Sequence, residues 1–357
     1  MQHANIPPAS LALLKRGAVI PAHLLALDAQ RKLDERRQRA LSRYYLDSGA
    51  GGLAVGVHST QFAIRDVGLY EPVLEMAMHE ALHWEPLGGP RPLVMIAGLA
   101  GATTQAAAEA ETARQLGYHA GLLSLAAMRG SDEDRLIAHC EAVADVMPLV
   151  GFYLQPAVGG IHLPVSFWRR FAAIDNVVAI KMAPFNRYRT QDVIRGVIEA
   201  GAEDRVTLYT GNDDHIVLDL LTPFAFRCSD GRMVTLRIKG GLLGHWSVWT
   251  RRAVELLQRL HQTVEHDAPL PAELLTLDAQ VTDCNAALFD VANDFRGCIA
   301  GCHEVLRRQG LLEGIWCLDP HEGLSPGQAD ELTRVHAAYP ELNDDAFVTQ
   351  HRDRWLG

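Results

Sequence analysis

Asn176-Val177-Val178-Ala179-Ile180-Lys181-Met182-Ala183-Pro184 is the stretch of this chain from which its fold and its chemistry follow. It is a short, nearly continuous apolar run, which is typical of a buried strand in a parallel sheet. Lys181 is the exception, because an ammonium group is costly to bury. Burial lowers the pKa of an amine from about 10.4 and frees its lone pair, as imine formation with a carbonyl substrate requires. The alternative interpretation is a lysine at a strand end that extends to solvent.

Seven further short apolar runs surround this strand, and helical patterns separate most of them. They cover residues 18–25, 52–57, 92–97, 120–125, 148–154, 205–210 and 240–244. Eight strands that alternate with helices predict a (β/α)8 barrel, also called a TIM barrel.

Three segments lie outside this repeat. Residues 1–16 are expected to be a loosely ordered lead-in to a barrel over residues 17–262. Residues 224–238 are interpreted as an inserted hairpin, because Ser229-Asp230-Gly231-Arg232 lies between apolar flanks. Residues 263–357 are mostly helical in pattern, and no flexible linker precedes them. We therefore expect an appended C-terminal helical region that packs on the barrel.

Composition and charge restrict the class of partner. The net charge is −10, which argues against nucleic acid and anionic membranes as main partners. No signal peptide and no apolar run long enough to span a membrane are evident, so a reducing cytoplasm is expected. The six cysteines match no compact zinc pattern. Cys298 and Cys302 share a helix face, and packed thiols are favoured there over half a metal site. No cofactor is predicted.

Tyr153 and Lys181 are the candidate catalytic pair. In a barrel of this kind the chemistry lies at the C-terminal ends of the strands. The two residues are 181 − 153 = 28 positions apart, the length of one strand–helix unit, so they lie on adjacent strands. We expect their side chains to converge, with the phenol relaying the protons that imine chemistry needs. The alternative is that Tyr153 is a core aromatic whose hydroxyl binds to the backbone.

Polar residues at the ends of other strands are candidates for substrate binding. Hydroxyls and backbone N–H groups after the second strand could hold a carboxylate, although a simple capped turn would have the same composition. The two histidines are either acid–base groups or packed side chains. The candidates are His58, Ser59, Thr60, Asn212, Asp213 and His245.

Together these features resemble the dihydrodipicolinate synthase and N-acetylneuraminate lyase superfamily of class I, Schiff-base-forming aldolases, over residues 17–260 and more weakly beyond. Tyr153-Leu154-Gln155-Pro156 is similar to the tyrosine-x-x-proline motif of the family's fifth strand, and Ala179-Ile180-Lys181 to its Schiff-base strand. Gly211-Asn212-Asp213-Asp214 resembles its glycine-aspartate turn. Val57-His58-Ser59-Thr60-Gln61 lies where the family has a Gly-Thr-Thr-Gly-Glu loop.

The resemblance implies a lyase without a cofactor. It implies that Lys181 forms an imine with pyruvate or a related 2-keto acid, and that Tyr153 shuttles protons. It further implies that the loop at His58 and Ser59 holds the keto-acid carboxylate. Members of this superfamily are commonly homotetramers built as pairs of dimers, so a homo-oligomer, dimer or tetramer, is expected.

Three departures from the family pattern bear on the second substrate. His58-Ser59 replaces the paired threonines, and Gln61 replaces the glutamate. The fourth strand ends in Leu125-Ala126-Ala127-Met128 in place of a threonine-proline-tyrosine-tyrosine run. Val158 stands where the synthases have an arginine that holds the second substrate's carboxylate. A strict dihydrodipicolinate synthase is therefore not expected, and an aromatic or aliphatic aldehyde is favoured.

Several functional hypotheses stay open on the sequence. The leading one is an aldolase or lyase, and a keto-acid dehydratase or hydratase-aldolase would use the same imine. The departures also motivate a non-catalytic relative that binds a small ligand. A metal-dependent barrel that uses His58, His245 and Asp213 is the third alternative.

Overall fold

The computed structural model describes residues 1–228, 230–265 and 269–357. Eight parallel strands form a barrel, and two further strands form a separate hairpin. The strands are β1 Val19–Pro21, β2 Gly52–Val55, β3 Val94–Leu99, β4 Ala120–Leu123, β5 Leu149–Tyr153, β6 Val177–Met182, β7 Thr207–Thr210, β8 Phe224–Arg227, β9 Met233–Leu236 and β10 Gly240–Leu243.

The barrel strands follow one another in the order β1-β10-β7-β6-β5-β4-β3-β2. A parallel bridge between Ala22 and Ala54 joins the two ends of this order. In that bridge the His23 N–H donates to the Ala54 carbonyl at 2.8 Å. The predicted (β/α)8 barrel is therefore confirmed, in a nearly closed form.

Helices separate the barrel strands and continue after the last of them. They are α1 Pro8–Arg16, α2 Glu35–Ser48, α3 Tyr70–His83, α4 Thr103–Gln115, α5 Glu133–Ala144, α6 Val165–Ala173, α7 Arg187–Glu199, α8 Ile216–Leu221, α9 Thr250–Glu265, α10 Glu273–Leu288, α11 Cys298–Arg308, α12 Gln328–Ala338 and α13 Asp345–Leu356. No helix in the described residues is long and apolar enough to cross a membrane.

The apolar core has two layers, because successive side chains of a strand point to opposite faces. One layer fills the barrel interior and the other packs between strands and helices. Along β5, Val150 and Phe152 face the interior, while Leu149 and Tyr153 face the helices. This alternation decides which strand residues can reach the active end of the barrel.

Residues 1–16 close the barrel floor, which corrects the expectation of a loosely ordered lead-in. Ile6 and Leu14 are buried in the same core as the barrel interior. The Tyr209 hydroxyl donates to the Leu14 carbonyl at 2.9 Å, and the Met1 amino group donates to the Val146 carbonyl at 2.6 Å. The apolar interior of a barrel must be shielded from water at its base, and helix α1 supplies the cover.

Segment 224–238 contains the antiparallel pair β8 and β9, in which Phe224 lies opposite Leu236. Ser229, part of the turn on which the hairpin interpretation rested, lies outside the described residues. The expected division after residue 262 falls inside α9, so the proposed boundary between barrel and helical region crosses a continuous helix.

Hydrogen bonds join the C-terminal helices to the barrel. On α10, the Asp278 carboxylate accepts from the Leu218 N–H at 3.0 Å, and the Thr282 hydroxyl donates to the Asp214 carbonyl at 2.9 Å. On α13, the buried Trp355 indole donates to Asp47 at 2.7 Å. Helix α10 is thereby attached to the loop that follows β7, which carries candidate site residues.

Candidate active site

A cavity containing Lys181 opens at the C-terminal ends of the barrel strands. It encloses about 550 Å³, counting the part that is open to solvent. Barrel loops line most of it, and residues from beyond the barrel line the rest. The lining residues are Ala22, Val57, His58, Ser59, Phe152, Leu154, Gln155, Val158, Lys181, Ala183, Phe185, Gly211, Asp213, Gly244, Phe289, Phe295 and Cys298.

Lys181 projects into this cavity from β6 and is only 8% exposed. Burial lowers the pKa of Lys181, and the negative charge of Asp213 opposes that shift. Its Nζ atom lies 4.5 Å from the centroid of the Phe152 ring. The Lys181 side chain has room because residue 211 is a glycine and has no side chain. A Cβ added at Gly211 would lie 2.6 Å from Lys181 Cε. The site therefore holds an amine whose lone pair is available nearer neutral pH than in water.

Asp213 supplies the carboxylate of the cavity from the loop after β7. It is 4% exposed, and its Oδ1 atom accepts the backbone N–H of His245 at 2.8 Å. Burial raises the pKa of Asp213, while the His245 N–H and the Lys181 charge act in the opposite direction. Lys181 and Asp213 thus line the same cavity and act on each other electrostatically.

His58 and Ser59 line the opposite part of the cavity in a short helical turn, His58–Thr60. Burial, aided by the positive charge of Lys181, lowers the pKa of His58 to about 4. The imidazole is therefore neutral at working pH, and its ring packs 5.9 Å from that of Phe62.

Tyr153 does not reach the cavity, so the prediction that it converges with Lys181 is wrong. Its hydroxyl accepts the Leu163 N–H at 3.3 Å and lies 3.4 Å from the Leu163 carbonyl. Its ring lies 5.3 Å from that of Trp168 on α6, outside the barrel. The alternative of a core aromatic bound to backbone describes it correctly.

The register of β5 on β6 explains this outcome. Phe152 lies opposite Lys181, and Tyr153 lies opposite Met182. Paired residues of neighbouring parallel strands face the same side, so Phe152 takes the place beside the amine. The register shifts by one residue after Leu149, and a shift of one residue inverts the face of everything that follows.

Two further candidates serve the backbone and not the cavity. The Thr60 hydroxyl donates to the His23 carbonyl at 2.7 Å and accepts the Gly56 N–H at 3.0 Å. The Asn212 side chain accepts the Phe185 N–H at 3.0 Å and is fully buried. Neither lines the cavity, so substrate binding by Thr60 and Asn212 is not supported.

The backbone N–H of His245 contacts the site, but its ring lies outside the cavity. The ring lines a groove beside α9 and α10 and packs 5.9 Å from the Trp249 ring. Only the backbone N–H contacts Asp213. His58, His245 and Asp213 are therefore not a common ligand set, and no group of three His, Cys, Asp or Glu within the described residues could hold a metal ion.

The cavity has an aromatic cover that the sequence interpretation missed. The Phe289 ring stacks 6.5 Å from the Phe185 ring, and the Phe295 ring meets Phe185 edge-on at 5.7 Å. Phe185 and Phe295 have φ values of 51° and 65°, a region that bulky residues rarely adopt. No periodicity marks these positions. Phe289 and Phe295 lie in the C-terminal region for which only helical packing was predicted, and Phe185 follows the sixth strand.

Cys298 also reaches the cavity from the start of α11. Burial raises the pKa of the Cys298 thiol well above its ordinary value, so the thiol stays protonated. In the part of the chain that is described, the cavity thus combines one buried amine, one carboxyl group and one neutral imidazole within apolar walls. Such a set can form an imine with a carbonyl compound and exclude water from it.

Comparisons of the sequence with known proteins agree with this architecture. The sequence model of the dihydrodipicolinate synthetase family matches residues 15–223. The 4-hydroxy-tetrahydrodipicolinate synthase of Desulforudis audaxviator is 29% identical over 211 residues, which cover 57% of this chain and 66% of that protein. N-acetylneuraminate lyase 2 of Escherichia coli is 22% identical over 330 residues, which cover 91% of this chain and 95% of that protein.

A solved structure shows the same fold. The dihydrodipicolinate synthase of Acinetobacter baumannii, complexed with pyruvate, matches with a TM-score of 0.72 at 18% identity. The match covers 90% of this chain and 98% of that chain. At this identity the likeness shows the barrel and its helical additions, and not the substrate.

Proposed function

The chain belongs to the dihydrodipicolinate synthetase family, and from that premise we propose that it is a Schiff-base-forming lyase acting on pyruvate or a related 2-keto acid. The observation that carries the proposal is the buried Lys181 at the active end of the barrel. Its amine adds to the keto carbon, the resulting carbinolamine loses water, and a protonated imine remains. That imine withdraws electrons from the adjacent carbon, where a carbon–carbon bond is then made or broken.

The keto-acid carboxylate is proposed to bind at the turn that begins with His58. The first N–H groups of a helical turn have no acceptor within the turn, so they are available to an anion. Ser59 adds a hydroxyl on the same side of the cavity, and the neutral His58 imidazole can donate a further hydrogen bond. The related synthase of Acinetobacter baumannii is complexed with pyruvate, which supports a small 2-keto acid as the ligand.

The second substrate is proposed to be an aromatic or aliphatic aldehyde. Phe185, Phe289 and Phe295 cover the cavity, and Val158 lines it. No arginine is among its described lining residues, so a second carboxylate would be buried without a partner, which is costly. The same imine would also serve a dehydratase or hydratase-aldolase, because it promotes elimination as well as carbon–carbon cleavage.

A second candidate function is the non-catalytic binding of a small keto acid. The observation that favours it is Phe152, an aromatic ring without an exchangeable proton, at the position opposite Lys181. The two candidates differ in whether a covalent adduct accumulates and turns over.

Borohydride trapping tests the proposal. The protein is mixed with pyruvate or larger 2-keto acids, reduced, and analysed by intact and peptide mass. We expect a stable adduct on the peptide that contains Lys181. The adduct should be lost in Lys181→Ala and kept in Lys239→Ala, because Lys239 lies outside the cavity. No adduct across the panel, together with a keto acid that raises the melting temperature, would favour the binding protein.

We also propose a homo-oligomer, a dimer or a tetramer, that acts in the cytoplasm. All six cysteines are free, which suits a reducing compartment. Sedimentation velocity at several protein concentrations measures the assembly, and a monomer at all of them would contradict it.

A further inference from the structure

Imine formation at Lys181 needs a group that transfers protons, and the residue expected to do so, Tyr153, does not reach the cavity. Water leaves the carbinolamine only when its hydroxyl is protonated. The Tyr153 hydroxyl lies on the outer face of β5, bonded to the Leu163 backbone. Phe152, which faces the amine, carries no exchangeable proton. Another residue of the cavity must therefore carry the proton if the proposed function is correct.

The cavity offers few titratable candidates, and two of them are held in one protonation state. The pKa of His58 is lowered to about 4 by burial, so its imidazole rarely carries a second proton near neutral pH. The pKa of Cys298 is raised well above its ordinary value by burial, so its thiol rarely gives a proton away. Ser59 and Gln155 have no pKa in the working range. Among the described lining residues, Asp213 is the candidate that remains.

We propose that Asp213, and not a tyrosine, is the catalytic acid–base of this site. It lies in the loop after β7, the strand that pairs with β6 and therefore adjoins Lys181. Its carboxyl group lines the same cavity as the amine, and the His245 N–H fixes one of its oxygens at 2.8 Å. This inference rests on the proposed function, since it assigns a role within imine formation.

The proton balance closes within this pair of residues. The Lys181 ammonium first loses a proton, which the Asp213 carboxylate takes up across the shared cavity, so that a neutral amine and a carboxylic acid remain. The amine adds to the keto carbon, and its proton moves to the carbinolamine oxygen. The Asp213 carboxylic acid then protonates that hydroxyl, water departs, and the carbon–nitrogen double bond forms as a protonated imine. The carboxylate is restored, and the ammonium and ketone have become an iminium and one water.

The surroundings of Asp213 suit this exchange. The groups that act on it electrostatically are Lys181 and Asp214, and it in turn acts on the thiols of Cys298 and Cys302. Burial raises the pKa of Asp213 and lowers that of Lys181, so the two groups approach each other in proton affinity. A general acid works best when its pKa lies near the operating pH.

The test compares trapping rates in four proteins with pyruvate and borohydride. The wild type must form the adduct first, and its absence with every keto acid would overturn the proposed function together with this inference. Given an adduct, Asp213→Asn should slow its formation by about 10²–10⁴-fold. Asp213→Glu should recover part of the rate. Tyr153→Phe should trap within about twofold of the wild type, because its hydroxyl is outside the cavity.

A structural role of Asp213 is separated by chemical rescue. Added formate should restore part of the trapping rate of Asp213→Ala, because a small carboxylic acid can occupy the vacated space. Formate should not accelerate the wild type. A wild-type rate in Asp213→Asn would overturn the proposal. If Asp213→Asn fails to fold, Asp213→Glu takes its place, and a wild-type rate in that variant together with a large loss of rate in Tyr153→Phe would overturn the proposal, because the tyrosine would then be the shuttle.

Discussion

Replacing Gly211 by alanine should slow imine formation at Lys181 about a hundredfold and leave the fold intact. An added Cβ would lie 2.6 Å from Lys181 Cε, 2.9 Å from Ala183 Cβ and 3.1 Å from Lys181 Cγ. Carbon atoms in contact keep about 3.5 Å, so the lysine must move by about 3.5 − 2.6 ≈ 0.9 Å. A displacement of about 1 Å at a reacting group costs on the order of 10²-fold in rate.

The cost to folding should be smaller than the cost to chemistry. Gly211 does not have a positive φ, so alanine introduces no backbone strain at this position. The atom that must yield most is near the end of a flexible side chain, although Ala183 Cβ also has to give way. Overpacking of a core costs about 1–3 kcal/mol, and this site should fall in the lower part of that range.

The assay is the time course of borohydride trapping with pyruvate, combined with a melting curve. Gly323→Ala is the matched control, because nothing lies within 4 Å of the added Cβ and the backbone needs no positive φ. We expect the control to trap at the wild-type rate. A Gly211→Ala protein that is folded and also traps at the wild-type rate would refute the reasoning, since the position of the lysine would then not control the reaction.

Three other perturbations have defined outcomes. Burial lowers the pKa of His303 to about 4 from an ordinary 6.5, so the folded state binds the proton less well and the free energy of unfolding falls as pH drops from 6.5 to 4. In urea titrations, His303→Leu should reduce this fall in the free energy of unfolding by about 3 kcal/mol. Curves of unfolding free energy against pH that run parallel in the wild type and the variant would contradict this. Burial raises the pKa of Asp344 from 3.8 to about 6, so the folded state binds this proton better and stability falls as pH rises through that window. Asp344→Asn should remove about 3 kcal/mol of this opposite dependence, measured in the same titrations. Phe289→Ala should raise KM for an aromatic aldehyde about tenfold to a hundredfold and spare pyruvate trapping, whereas Phe226→Ala on the hairpin should change neither.

The candidate site was only partly predictable, for reasons that differ between residues. Lys181 could be identified because a single charged residue within an apolar strand is unusual whatever the position of that strand in the fold. Asp213 could be placed near it because it directly follows another strand of the same barrel. Thr60 and Asn212 occupy equally suggestive positions, yet their side chains hydrogen-bond to backbone groups of neighbouring loops, at His23 and Phe185. Position at a strand end therefore selects candidates and does not decide which way a side chain points.

The resemblance to the family misled at one residue. Tyr153-Leu154-Gln155-Pro156 has the spacing of the family's motif, but the register places Phe152 and not Tyr153 opposite Lys181. Two adjacent aromatic residues on a strand face opposite sides, and a sequence pattern alone cannot tell which one is inside. The consequence is chemical, because one choice supplies a phenol and the other does not.

By itself, the sequence determined the barrel and the unusual position of a single lysine within one of its apolar strands. These follow from local periodicity and from the cost of burying a charge, which neighbouring residues along the chain reveal. The tertiary structure alone decided that Phe152 faces Lys181 and that Phe289 and Phe295 cover the cavity. Both depend on how distant segments align, and a one-residue shift after Leu149 is enough to exchange the inside and outside of a strand.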